Sequence, residues 1–385
     1  MSKNFSLEDL LAAFNQAYLE AEGAMGRCNV LIIGKTGVGK STLINAVLRE
    51  PLAQIGAGRP VTQAIRQYQK QDFPITVYDT PGLELGHEQV RHIQLEVAQL
   101  IEDKRLQAID EQIHIIWYCI SHMGDRLEKI EVEWLQALEK KDIPVLLVLT
   151  KTLTCQHSLF QAKLEAENLP VRQIVPILAE AYPVNQDYRV AAHGLDQLVE
   201  VTFELLPEVA RKALVNGTRS IRLKAREAFK YVSGYVASAF AVGFTPIPFA
   251  DAPILVTMQT TMLAHITLIF GLPFGKGFVS TVLTTIAGSG GMSLLGRTVV
   301  NNLLKLIPGV GTIAGGVISG STAAALTMAL GLAYIQSLKI YLRAQIQGQQ
   351  MSMAELAQVV EREYSFYARS GQQALRNEDD DAYDL

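Results

Sequence analysis

Gly34-Lys35-Thr36-Gly37-Val38-Gly39-Lys40-Ser41 satisfies the pattern G-x-x-x-x-G-K-[ST] at every fixed position. The apolar run Val30 to Ile33 leads into it and the helix-forming run Thr42 to Arg49 leaves it, the strand, loop and helix order that the pattern needs. Its glycines let backbone N–H groups wrap a polyphosphate, and the N-terminus of the helix that begins near Thr42 adds partial positive charge. Lys40 is placed to reach β- and γ-phosphates, and Ser41 to ligate Mg²⁺. This loop decides the fold class: a strand, a phosphate-binding turn and a helix open an α/β domain.

Working outward, residues 27–206 alternate strand and helix, the signature of a mostly parallel sheet covered on both faces. Strands are predicted at 29–33, 64–69, 75–79, 113–119, 144–149 and 171–177. Helices are predicted at 40–49, 87–107, 126–141, 156–168 and 194–206. Ligands bind beyond the carboxyl ends of strands in such sheets. After the strand ending near Tyr78 comes Asp79-Thr80-Pro81-Gly82, where the Asp can hold Mg²⁺ through water and the Gly82 N–H can approach the γ-phosphate. Between the two motifs, Arg59-Pro60-Val61-Thr62-Gln63 offers Thr62 as a second hydroxyl ligand to Mg²⁺.

In this order the motifs resemble those of the translation-factor-related GTPases, with Thr62 in switch I and Asp79 to Gly82 opening switch II. The resemblance implies GTP or GDP with Mg²⁺ as ligands, Ser41, Thr62 and Asp79 around the metal, and Lys40, Thr62 and Gly82 at the reacting phosphate. It also places Thr150 and Lys151 at the base, with Ala179 offering a backbone N–H to the guanine oxygen. Two positions depart from the family. Thr150-Lys151-Thr152-Leu153 stands where [N/T]-K-x-D is usual, and Leu153 cannot accept the hydrogen bonds of a guanine edge. Leu83 follows the switch II glycine where Ras-like members carry a water-orienting Gln, and Gly37 replaces the Asn of potassium-dependent members. Glu84, His87 and Glu88 are polar substitutes nearby, though a solvated loop would carry the same residues. Slow hydrolysis, completed by a partner such as a second copy, is the expectation.

Residues 1–26 read as an amphipathic helix, with Leu7, Leu10, Leu11, Phe14, Ala17 and Tyr18 at helical spacing. The chain opens without a positive n-region or an apolar h-region, so a cytoplasmic start is expected. Cys28, Cys119 and Cys155 show no metal-ligand spacing and are read as packing residues in a reducing compartment. A net charge of −4 over 385 residues argues against a dedicated nucleic-acid binder.

Beyond Pro207 the character changes. From Glu208 to Lys230, with seven basic residues against two acidic ones, a basic helix at headgroup level is expected, and residues 231–338 hold only Asp251, Lys276, Arg297 and Lys305 as formal charges. The uncharged runs reach 20, 24, 20 and 33 residues, long enough to span a bilayer. A buried soluble bundle reads the same way. Ile247-Pro248 and Ile307-Pro308 lie 60 residues apart, as do Gly271 and Gly331, and this spacing suggests two helical hairpins in which glycine ends the second helix. Thr245-Pro246-Ile247-Pro248-Phe249-Ala250-Asp251 and Ile307-Pro308-Gly309-Val310-Gly311 resemble the YcjF-type domain, a helical domain of unknown function found behind Era- or TrmE-like GTP-binding domains in bacteria. A looser likeness is to immunity-related GTPases. The resemblance implies a membrane-associated GTPase at the cytoplasmic face, peripheral or multi-pass, with residues 207–345 contacting lipid. Within 346–385, Ser352-x-x-Glu355 caps a final helix that is expected to pack with the first one, and Glu378 to Asp381 form an acidic tail too charged to fold. Two further readings remain open: a nucleotide-regulated scaffold with little turnover, and an Era-like RNA or ribosome factor, the latter lacking a basic G-x-x-G clamp.

Overall fold

The computed structural model describes residues 7–49, 51–52, 59–60, 65–82, 87–242, 251–272 and 320–381. They form two compact units, one of residues 25–223 and one combining the residues up to 24 with those from 224 onward. Each is described by itself.

The first unit is an α/β domain built on a seven-stranded sheet. Its strands are β1 (Cys28–Gly34), β2 (Arg59–Pro60), β3 (Arg66–Tyr68), β4 (Ile75–Asp79), β5 (Ile115–Ser121), β6 (Val145–Thr150) and β7 (Gln173–Pro176), in the spatial order β2-β3-β4-β1-β5-β6-β7. β1 pairs in parallel with β4 and β5, and β5, β6 and β7 continue the parallel set; β2 and β3 are antiparallel additions at one edge. Strands buried on both faces read as unbroken apolar runs, and Val145 to Leu149 illustrates this with every residue buried. Helices α2 (Lys40–Val47), α3 (His87–Arg105), α4 (Lys129–Glu139), α5 (Leu159–Ala166) and α6 (Leu195–Leu205) cover the sheet. Trp117 and Tyr118 anchor opposite sides of β5: the Trp117 indole N–H donates to Thr202 on α6 at 3.1 Å, and Tyr118 meets Trp134 of α4 edge-on at 6.0 Å.

The chain runs from β1 to one side of the sheet and, after β4, crosses to the other. That switch point puts the loop after β1 in the central crevice. β1 and β3 to β7 follow the predicted series to within a few residues, whereas β2 falls at Arg59-Pro60, where a loop was expected. Two short strands after β7, β8 (Tyr182–Pro183) and β9 (Arg189–Val190), pair as a hairpin that the alternation did not reveal.

The expected basic helix over 208–230 is two helices, α7 (Glu208–Gly217) and α8 (Ile221–Val242). α7 is part of the α/β unit, so this unit closes at residue 223 and not at 206. The cause is apolar: Ala210, Ala213 and Leu214 are buried, and Gly217 packs against Ile75 and Phe73. Several basic residues serve the fold. Arg211 donates to the carbonyls of Phe203 and Leu206, and Arg219 to that of Leu48 at 2.7 Å. Cys28 and Cys119 are fully buried, with thiols that burial pushes up to about 12, whereas Cys155 is exposed and is not a packing residue.

The second unit contains α1 (Leu7–Gly23), most of α8, α9 (Asp251–Ile269), α10 (Gly320–Ile346) and α11 (Met353–Asp381). α1 packs on α9, and α11 on α10, so the first and last helices have different partners from the expected pairing. Polar rungs join the apolar helices: Gln259 donates to Thr327 at 3.1 Å, and Thr267 and Tyr334 share a bond of 2.7 Å, all four buried. Lys224, 1% exposed, donates to the carbonyl of Ile269 and so caps the end of α9. Gly331 lies inside α10 against Val232, where a side chain would collide; the glycine serves close packing and does not end a helix. The Ser352/Glu355 capping box is present, and Leu356 and Val360 behind it are buried. α11 continues through Asp381, against the expected unfolded acidic tail, because helix formers such as Ala374, Leu375 and Arg376 extend an established helix at low cost. The motifs at 245–250 and 307–311 lie outside the described residues.

Candidate functional site

The loop after β1 turns through left-handed backbone at Gly37 (φ 74°) and Gly39 (φ 103°) before α2 begins. Only glycine adopts such angles without strain, and the turn aims N–H groups at one point. Lys40 is 9% exposed, and its ammonium donates to the carbonyls of Gly34 at 2.8 Å and Lys35 at 3.2 Å. Two of its three donors thus hold the loop in shape, leaving the third for an anion. The Lys35 side chain points elsewhere, to Glu128 at 2.8 Å and Glu131 at 3.3 Å, which also form the reciprocal cap of α4. Val38 is buried, and its carbonyl accepts from Thr150 of β6.

A cavity of about 990 Å³ opens in front of this loop. Thr36, Gly37, Gly39, Lys40, Ser41 and Thr42 line one side, and Asp79 and Gly82 line another. Gly82 lies against Thr36 so closely that a Cβ would overlap the Thr36 hydroxyl and backbone nitrogen. No other residue fits there without displacing the loop. Asp79 is mostly buried, and its Oδ1 has no hydrogen-bond partner among the described residues. Burial raises its carboxyl to about 6, against the opposing pull of Lys40 and then Arg66. A buried carboxylate oxygen left open beside the Ser41 hydroxyl's loop is the donor set of a hard divalent cation, and Mg²⁺ fits these residues. Thr62, Leu83 and Glu84 lie outside the described residues, as does the side chain of His87.

The other end of the loop is braced by β6. Thr150 Oγ1 lies 2.6 Å from the carbonyl of Val38 and 2.9 Å from that of Ile120 and shares its one proton between them, and Lys151, in left-handed backbone (φ 56°), donates to the carbonyl of Gly37. Lys151 lines the cavity; Thr150 and Ala179 do not. Ala179 follows an isolated bridge between Leu178 and His193, and the His193 ring is 3.0 Å from the Thr152 carbonyl, which ties the loop after β7 to the loop after β6. Leu153 is half-buried in that loop, with no acceptor in its side chain.

Four cavity residues escaped the sequence reading: Arg66, Gln89, His92 and Ile93. Arg66 is the register partner of Asp79 on β3, visible only once the antiparallel edge is known. Gln89 and His92 sit on α3, one turn apart, and the packing of α3, which no local pattern displays, brings them to the cavity.

This fold and loop define a P-loop GTPase domain. Residues 29–151 match the family described as 50S ribosome-binding GTPase, and residues 215–369 match a domain of unknown function, DUF697. The chain therefore joins a GTPase-family domain to a DUF697 domain. Among curated proteins, magnetosome membrane protein 22 of Magnetospirillum gryphiswaldense is 30% identical over 105 residues, covering 27% of this chain and 54% of that protein. The GTPase Era of Geobacter metallireducens is 29% identical over 184 residues, 46% of this chain and 55% of that protein. The chain thus spans about half the length of these relatives. A solved structure of a probable GTP-binding protein, engB, aligns over 46% of this chain and 98% of its own at 21% identity, with a TM-score of 0.33.

Proposed function

We propose that this chain is a GTP-binding switch that holds GTP or GDP with Mg²⁺ and hydrolyses GTP slowly. The observation that carries the reading is the convergence of Lys40, Ser41, Asp79, Gly82 and Lys151 around one cavity. In this reading the loop N–H groups and Lys40 hold the phosphates, and Ser41, Asp79 and Thr62 hold the cation, which supplies charge neutralisation at the β- and γ-phosphates. Lys151 lies over the base and the Ala179 N–H meets the guanine oxygen. Gly82 contacts the γ-phosphate and so reports its presence to α3. Titration calorimetry with GTP, GDP, ATP and ADP, with and without Mg²⁺, tests this. Micromolar or tighter binding of both guanine nucleotides is expected, and failure of either to bind overturns the proposal.

The switch acts at a membrane through its helical unit. α10 supports this: at 27 residues it is long and apolar enough to cross a bilayer, although 61% of its most apolar window is already buried against other helices. Basic residues at Arg211, Arg219 and Lys224 do not contribute a headgroup face, being committed to carbonyls inside the fold. Sedimentation with anionic vesicles in the GTP- and GDP-loaded states reads this out, and a chain that stays in the supernatant in both states removes the membrane arm. Because Leu83 cannot orient water, pairing of two GTPase domains is the proposed activating step. It predicts turnover per molecule that rises with protein concentration.

A further inference from the structure

We infer that His92, held by Glu96, is the group that positions the attacking water; the inference rests on the hydrolysis reading above and names the residue that reading lacks. The family position for such a residue carries Leu83, whose side chain has neither donor nor acceptor. α3 contributes Gln89, His92 and Ile93 to the lining of the same cavity as the phosphate loop. His92 is 61% exposed, and its Nε2 lies 3.0 Å from Oε1 of Glu96, one turn further along the helix and 14% exposed. A carboxylate at that distance takes the Nε2 proton as a hydrogen bond and so selects the tautomer with a free lone pair on Nδ1. It also fixes the ring, so the acceptor is in place before substrate arrives. The helix itself cannot roll, because Ile93 and Val97 are buried on its inner face.

In the step assigned here the water donates one hydrogen bond to His92 Nδ1 while its oxygen bonds to the γ-phosphorus. The bond from that phosphorus to the β,γ-bridging oxygen breaks, the bridging oxygen leaves with GDP, and the water proton ends on inorganic phosphate. His92 touches the water and is a catalytic residue in this scheme; Glu96 acts through it and is a positioning residue.

The test is single-turnover GTP hydrolysis by the full chain with Mg²⁺, at high protein concentration and with anionic vesicles, alongside affinities for GDP and a non-hydrolysable GTP analogue. For His92→Ala, hydrolysis is expected to fall about 100-fold with both affinities within twofold of the parent. His92→Gln, which retains an acceptor, recovers most of the rate. Glu96→Gln loses about tenfold, because the amide holds the ring less firmly. A merely structural role for the pair would instead shift the affinities and the melting temperature and would not be rescued by His92→Gln. A parent that hydrolyses GTP no faster than His92→Ala overturns the inference alone, as does a loss seen with Gln89→Ala and not with His92→Ala. A parent that binds GTP and never hydrolyses it overturns the hydrolysis reading and this inference with it.

Discussion

In the proposed reading the cavity has a phosphate end and a base end, and the residues that line or brace them are built on different principles. At the phosphate end, reactive atoms are left over: among the described residues, Lys40 keeps a donor and the buried Asp79 Oδ1 has no partner. At the base end, bonding turns inward to brace the loop: Thr150 spends its hydroxyl on Val38 and Ile120, and Lys151 gives one of its three donors to Gly37. Unsatisfied buried polar atoms are costly, so an end that keeps them is shaped for a ligand that completes them. An end that satisfies itself serves first to hold the phosphate loop in place. Binding energy should therefore reside mostly in the phosphates, with a weak claim on the base.

Lys40→Ala gives the sharpest break in this comparison. Loss of the one buried ammonium at the phosphates is expected to weaken GTP and GDP alike by about 100-fold or more. Calorimetric affinities close to the parent's would move the energetic weight away from this end.

Asp79→Asn probes the same end through pH. In the folded protein the Asp79 carboxyl titrates near 6, above its ordinary 3.8, so between these values the folded state holds a proton that the unfolded state has lost. Stability from this group is therefore present at low pH and is lost as pH rises through about 6. Removing the charge should stabilise the Mg²⁺-free protein by about 1–2 kcal/mol at pH 7.5, with the gain shrinking toward pH 4. The same change should weaken Mg²⁺-dependent GTP binding by about 30-fold at pH 7.5, and in the parent that binding should decline as pH falls through about 6. Thermal unfolding and titration across this range check both signs together. A variant neither more stable nor weaker in binding would mean that Asp79 does not face the cation.

Thr150→Val tests the self-satisfied end. The one hydroxyl proton that two buried carbonyls share is lost, so a stability loss of about 2 kcal/mol is expected, with GTP and GDP affinities falling together by about tenfold because the loop shifts. If GTP suffered and GDP did not, Thr150 would belong to the γ-phosphate and the comparison would fail.

How much of this was legible in the sequence follows the same division. The phosphate loop and the D-T-P-G turn are local motifs: fixed residue types at fixed spacing dictate the backbone, and the strand order only has to place them at the switch point. The strands were readable for a similar reason, since a doubly covered parallel sheet demands runs such as Ile115 to Ile120. Arg66 and His92 were not readable, because what brings them to the cavity is an antiparallel edge register and the rotation of α3, both set by long-range packing. The break between α7 and α8 was hidden too. Charge counting treats every Lys and Arg as solvated, whereas Arg211, Arg219 and Lys224 are recruited by carbonyls at helix and strand ends, partners that no linear pattern displays.

Leu153→Asp addresses the weakest term, the base itself. The parent offers a purine the plane of Lys151 and the N–H of Ala179, neither of which rejects adenine strongly. A carboxylate at 153 would accept from the N1–H and the 2-amino group of guanine, and adenine presents neither donor there. Hydrogen bonds to a charged acceptor are worth about 1.5–3 kcal/mol when the geometry is preformed, but this loop has evolved around a leucine, so only part of that should appear. A gain of about fivefold in the GTP-to-ATP affinity ratio is expected, with inosine triphosphate, which lacks the 2-amino group, gaining less than GTP. An unchanged ratio would mean that position 153 does not face the base edge, and that guanine, if preferred at all, is read from the loop after β7.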